Sequence, residues 1–323
     1  MGREALWPCG RGDAEDAVVL LLILPKRQRY TGPSKMKILV PLPAKGFDPT
    51  ETAVSWRILR DTGHALYFAT PDGEVAQADP IMLSGEGLDP WGFIPLLKKL
   101  RVIGLILRAG KGARRAYRGL AHDKNFCAPL RHADVKASEY GALLLPGGHD
   151  KSIREDYLES EVLQKLAADF FAANKPVAAI CHGVVLLARS QSKDTGKSVL
   201  YGRRTTALTW ALEKSAWQFT KYFARFWDPD YFRTYTESPD QPVGYMGVQQ
   251  EVTRALASPD DFADVPTDSP HYFAKTAGIF RDSSENAKPA FVVRDGNYVS
   301  ARWPGDVYLF AKTFTKVLAE VKL

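Results

Sequence analysis

Apolar residues fall along this chain in two rhythms that alternate. Short unbroken runs, KILVPL (Lys37 to Leu42), ALYFAT (Ala65 to Thr70), YGALLL (Tyr140 to Leu145) and PVAAI (Pro176 to Ile180), have the length and content of strands buried on both faces. Longer segments with helical spacing stand between them. DPTETAVSWRILRDTGH opens a helix with Asp48 as N-cap and Pro49 in the first turn, and closes it near Gly63. DYLESEVLQKLAADFFAANK sets Leu158, Val162, Leu166 and Phe170 on one helical face, and the run from Gly183 keeps good helix formers until the polar stretch Arg189 to Asp194. Strand, helix and strand within Lys37 to Thr70 make a βαβ unit, which calls for a parallel sheet with helices on its faces.

The remaining pattern is uneven. Val102 to Leu107 reads as a helix end or a strand, Val199 to Leu208 as a strand and Glu213 to Phe226 as a helix. FVVRDGNYVSAR is a hairpin around Asp295-Gly296, and PGDVYLFAKTFTKVLAEV an amphipathic terminal helix. Two stretches lack rhythm: basic residues 108–139, and residues 227–286, rich in Pro, Asp and Tyr. Both read as insertions that cap a site or decorate a sheet edge. MKILVPLP at Met36 looks like a natural start, so residues 1–35 read as an appendage and residues 36–323 as one α/β domain.

Composition narrows the function. The length of 323 residues and 45% hydrophobic content suit one large globular domain or two modest ones. Cys9, Cys127 and Cys181 are odd in number and without CxxC spacing, which speaks against a disulfide framework or a zinc ribbon and for a reducing, cytoplasmic setting. The net charge of +6 is mild. The basic cluster KGARRAYRG (Lys111 to Gly119) comes without a nucleic-acid-binding motif and reads as a solvated face. VVLLLILP (Val18 to Pro25) is too short to span a bilayer; acidic residues before it and KRQRY after it argue against a signal peptide. Neither a nucleic acid nor a membrane is expected as partner.

The chemistry concentrates in PVAAICHGVVLLA. Cys181 and His182 interrupt the apolar run where a strand turns into a helix, with the small residues Ala179 and Gly183 two positions to either side. That is the spacing of a nucleophile elbow. A helix N-terminus and an adjoining imidazole would favour the thiolate, although cysteine also serves as a buried corner filler. Gly147-Gly148, after a strand, can turn backbone N–H groups into the crevice at the strand ends as an oxyanion hole, or be an ordinary glycine turn. Glu51, just after the first strand, reaches the same crevice or closes a capping box with Asp48.

The stretches LLLPGGHD, PVAAICHG and YVSARWPGDVYLFAK, in that order after a βαβ unit ending in ATPDG, resemble the ThiJ/PfpI superfamily, with its class I glutamine amidotransferase-like fold. The resemblance covers most of Met36 to Leu323 and is strongest to the larger branch of stress chaperones and glutathione-independent glyoxalases. It implies a flavodoxin-like parallel sheet sandwiched by helices and a homodimer. It also implies Cys181 as nucleophile, His182 beside it, Glu51 next to the sulfur, and an acid beyond the elbow helix to orient the histidine, for which Glu213 is the candidate. Gly147, Gly148 and His149 would hold the substrate oxygen. The C-terminal His-x-Glu of glutamine amidotransferases is missing, since Phe273 follows His271 where the glutamate should stand, so glutamine hydrolysis is disfavoured. His122, Cys127 and His132 form only a loose set, so no metal is expected.

Three activities follow. The first is cofactor-free conversion of small 2-oxoaldehydes to 2-hydroxy acids through a hemithioacetal on Cys181. The second is a cysteine peptidase or amidase on the same site. The third is a non-enzymatic holdase chaperone or oxidation sensor, which would present an exposed apolar patch.

Overall fold

The computed structural model describes residues 35–321. Cys9, the run Val18 to Pro25 and the rest of the expected appendage to residue 34 lie outside the described residues. In chain order the elements are β1 (Lys37–Pro41), β2 (Lys45–Phe47), α1 (Pro49–Asp61), β3 (Ala65–Thr70), β4 (Gln77–Ala78), α2 (Pro80–Ser84), α3 (Ile103–Leu107), α4 (Lys111–Leu120) and α5 (Lys124–Cys127). There follow β5 (Leu130–Arg131), β6 (Ala142–Leu145), α6 (Glu161–Ala172), β7 (Val177–Ile180), α7 (Gly183–Arg189), α8 (Trp210–Phe223), α9 (Val248–Arg254) and α10 (Tyr272–Thr276). The hairpin β8 (Val292–Asp295) and β9 (Tyr298–Ala301) and the helix α11 (Val307–Glu320) complete the chain.

Seven strands form one sheet in the order β5-β3-β1-β6-β7-β9-β8, parallel throughout except for β8, which runs antiparallel to β9. The central strands β1, β6 and β7 are apolar at every position after Lys37, because each face meets a helical layer. Ile38 and Val40 of β1, Leu144 of β6 and Ile180 of β7 point into a core shared with α1, α4 and α11. Leu39, Leu143, Leu145, Val177 and Ala179 point the other way, against α6, α7 and α9. The result is an α/β sandwich of three layers, with the loops after β1, β6 and β7 meeting at one end of the sheet, where open α/β folds place their ligand sites.

Three expectations change. Residues 108–139 are not a mere decoration: α4 turns Ala113, Ala116, Tyr117 and Leu120 onto α1, and β5 extends the sheet beyond β3. The apolar spacing of α4 is helical, but its short alanines hide it among arginines. Val162 is 46% exposed, since the inward face of α6 is Leu163, Leu166, Ala167 and Phe170, and Leu158 is buried from the wide turn before the helix. Val199 to Leu208 forms no strand beyond one isolated bridge, Thr205 to Phe262. Lys45–Phe47, between the first strand and its helix, pairs with Gln77–Ala78 as a second, two-stranded sheet.

Candidate active site

Cys181 lies one residue past β7 with φ +57°, in the left-handed region that costs a non-glycine residue about 1–2 kcal/mol. The neighbouring strands hold it there. Its N–H donates to Ala301 O at 3.1 Å, continuing the ladder onto β9, while its carbonyl accepts from Val184 N at 3.2 Å as α7 begins. Gly183 is obligatory at this corner, because a Cβ on it would stand 2.2 Å from Leu145 O. His182 returns at once to helical dihedrals, φ −66° and ψ −19°. Neighbours on a regular helix point apart. The left-handed step at Cys181 instead turns the two side chains together, with Sγ 3.4 Å from His182 Nδ1.

The far side of the ring fixes its tautomer. His182 Nε2 is 2.8 Å from Thr234 Oγ1, and Thr234 Oγ1 donates to His149 O at 2.8 Å. A hydroxyl has one proton, and this one is given to the carbonyl, so the ring must be the donor at Nε2. Nδ1 then carries the lone pair, aimed at the thiol. Sequence reasoning missed Thr234, which sits in the irregular stretch 227–286 with no local signal.

Glu213 does not orient His182, contrary to expectation. Its Oε1 is 3.1 Å from Arg233 Nε in a buried ion pair, and its Oε2 accepts from Val248 N at 3.0 Å. Arg233 also pairs with Glu237 and lies 5.0 Å from the ring centroids of both Trp210 and Trp217. Glu213 therefore anchors the residue that precedes Thr234, and Arg154 Nε donates to the Thr234 carbonyl. The acid sits one step away from the histidine, and a neutral hydroxyl takes the place foreseen for it.

Glu51 leaves the capping box. Asp48 accepts from Thr50 N and Glu51 N at 2.7 and 2.9 Å, but the Asp48 N–H donates to Gly147 O at 2.9 Å and not to Glu51. The fully buried Glu51 carboxyl accepts from Gly147 N through Oε2 at 2.7 Å, while Oε1 has no hydrogen-bond partner within ordinary range. The carboxyl also interacts with the Cys181 thiol. Gly147 N–H is thus spent on Glu51 and is not free for a substrate oxygen. The Gly148 N–H has no acceptor among the described residues, and a Cβ at Gly148 would meet Gly46 O at 2.4 Å. The His149 ring lies in the wall, stacked on Phe232 with centroids 4.6 Å apart and edge-on to Tyr231 at 4.7 Å. Its Nε2 is 3.8 Å from Asp79 Oδ2, the atom that accepts from Tyr231 OH at 2.7 Å.

Burial sets the resting protonation. It pushes the Cys181 thiol well above its usual range, and the carboxyls of Glu51 and Asp48 push it the same way. Burial first, then Asp48, holds Glu51 well above the carboxylate range. Burial lowers His182 to about 3, with His149 adding to the effect. Burial thus favours the neutral form of all three groups and works against the thiolate the sequence suggested. Among the loose metal candidates, His132 Nε2 is engaged by Leu42 O and Ala69 O at 3.1 and 3.2 Å, and His122 Nδ1 contacts Arg118 O at 2.7 Å.

Comparison with known proteins identifies the family. Residues 42–240, more than half the chain, match the family model described as ThiJ/PfpI family-like. Deglycase PfpI of Pyrococcus furiosus is 24% identical over 198 residues, covering 61% of this chain and 74% of that protein. Glutathione-independent glyoxalase HSP31 of Saccharomyces cerevisiae is 30% identical over 76 residues, covering 24% of this chain and 31% of that one. The crystal structure of glyoxalase III from Candida albicans superimposes with a TM-score of 0.53 at 16% identity, covering 87% of this chain and 96% of the other, a likeness of fold. With the left-handed cysteine, its histidine and the buried glutamate in place, the chain belongs to the ThiJ/PfpI-like family.

Proposed function

We propose that the protein converts small 2-oxoaldehydes to 2-hydroxy acids without glutathione or any other cofactor. One observation carries the reading. The Cys181 sulfur faces an imidazole nitrogen whose lone pair is directed at it by the Thr234 hydroxyl. The deglycase and glyoxalase names of relatives support the substrate class.

The chemistry follows from the protonation states. Sγ attacks the aldehyde carbon as its proton passes to His182 Nδ1, and the Glu51 carboxyl, whose protonated form burial favours, gives its proton to the new oxygen while the Gly148 N–H holds it. The hemithioacetal loses its C1 proton to a base and regains one at C2 through an enediol, which oxidises C1 and reduces C2 within the substrate. No external electron acceptor is needed. Water then releases the 2-hydroxy acid from the thioester and restores the thiol. Glu213 acts at one remove, through Arg233 and Thr234.

The test is the time course of methylglyoxal loss and lactate formation without glutathione, for wild type and Cys181→Ser. Lactate from the wild type alone is the expected result. No lactate from either protein overturns the reading.

A further inference from the structure

The helices and loops around the site present an apolar surface that the carbonyl chemistry does not use. Leu96 is 90% exposed, Ile106 72% and Leu100 57%. Two contacts tie other stretches to this segment. Phe93 packs edge-on to Phe226 with centroids 5.9 Å apart, and Arg281 donates to Leu107 O and Arg108 O at 2.7 and 2.9 Å, which brings the exposed Ile279 alongside. Monomeric proteins rarely leave contiguous apolar patches of this kind without a partner.

The charge of its central segment is one-sided. From Trp91 to Arg118 the sequence has eight lysines and arginines and no aspartate or glutamate. Lys98 and Lys99 are exposed between Leu97 and Leu100, and α4 turns Lys111, Arg115 and Arg118 to solvent while its alanines face α1. Arg108 lies close enough to Arg114 and Arg101 to be repelled by both. Apolar tips interleaved with cations, of which Arg101 has an acidic partner in Glu86 at 3.9 Å, suit a surface that is oily below and anionic above.

We propose that this face docks on an anionic phospholipid surface, with Leu96 and Ile106 entering the acyl boundary and the Lys98-to-Arg118 cations meeting headgroup phosphates. The sequence reading assigned the basic cluster to solvent and expected no membrane. The apolar tips change that, and docking needs no spanning helix; among the described residues no helix is long and apolar enough to cross a bilayer. A second copy of the chain is a poorer occupant, since a two-fold contact would set this cationic patch against itself. An unfolded client carries both signs of charge and offers no comparable match. Nucleic acid would leave the leucine and isoleucine tips without partners.

The full chain is sedimented with vesicles of phosphatidylcholine alone, or with about one quarter phosphatidylserine, at about 0.1 M and about 0.5 M salt. Expected is binding to the anionic vesicles only, weakened at high salt. Leu96→Asp/Ile106→Asp and Lys98→Glu/Lys99→Glu should each reduce it more than about tenfold, with carbonyl turnover unchanged. Equal binding to both vesicle types, no binding at low salt, or indifference to both variants overturns the proposal. So does a dimer that Leu96→Asp/Ile106→Asp splits without any vesicle binding, or retention of an unfolded model protein by a chain that ignores vesicles.

Discussion

Replacing Thr234 by valine keeps the shape of the side chain and removes only the hydroxyl. Two buried hydrogen bonds of 2.8 Å go with it, leaving the His182 Nε2–H and the His149 carbonyl without partners. Each unpartnered buried group costs about 1–3 kcal/mol, so the variant should lose about 2–6 kcal/mol of stability. The kinetic effect is separate. The hydroxyl stabilises the tautomer whose Nδ1 receives the thiol proton, and an orienting hydrogen bond of about 1–3 kcal/mol corresponds to about 5- to 150-fold in kcat/KM. That lies below the roughly hundred- to ten-thousand-fold that a general base supplies in total. The assay is glutathione-free lactate formation from pH 5 to 8, with thermal melting in parallel. Because burial has lowered His182 to about 3, the imidazole stays neutral across that range, and the variant's profile should run parallel to the wild type, lower by a constant factor. Thr234→Ser, which restores the hydroxyl, should recover most of the rate. Wild-type activity in Thr234→Val, or equal damage in Thr234→Ser, would refute the tautomer argument; an acid limb rising toward the ordinary imidazole value would show that the pocket had opened to water.

Other substitutions probe the rest of the site. Glu51→Gln removes the acid proton and should lower kcat about a hundredfold. Because burial and Asp48 raise the folded-state pKa of Glu51, the wild type is most stable while the carboxyl is protonated and loses that stability as pH rises through the raised value, so the melting advantage of Glu51→Gln should grow from pH 5 to pH 8. Glu213→Gln breaks the buried pair with Arg233 and should cost about 3–5 kcal/mol in denaturant melts, with a rate loss that Thr234→Val in the same chain does not deepen. Gly183→Ala would drive a Cβ to 2.2 Å from the Leu145 carbonyl; loss of folded protein is expected, and a soluble, active variant would show that the corner yields.

How much of this was legible in the sequence depends on where each cause lies. β3 is recovered at its bounds, and α1 begins at its expected cap, because buried parallel strands and helix starts leave local marks. The elbow was legible for the same reason: small residues flank Cys181, and the left-handed cysteine is their consequence. The inward face of α6 was misread by one position because Val162 and Leu163 are adjacent and equally apolar, and only packing against α7 decides between them. Thr234 was out of reach. Its role depends on Arg233, held near two tryptophan rings, and on an ion pair to Glu213, twenty residues away in sequence. Glu213 was correctly brought to the neighbourhood but given the wrong contact, since sequence spacing cannot tell a direct hydrogen bond from one relayed through an arginine.

The burial of Cys181 bears on how the protein lasts. A nucleophile kept as a permanent thiolate is consumed by peroxide as readily as by substrate, and its higher oxidation states are not recovered without dedicated repair. Here burial and two carboxyls hold the sulfur in its protonated form, and the base beside it waits in the correct tautomer. On the proposed chemistry, the proton moves only when an electrophilic carbon arrives to accept the sulfur's electrons. Such a site trades standing reactivity for endurance, and it can remain intact through the oxidising conditions in which reactive carbonyls accumulate.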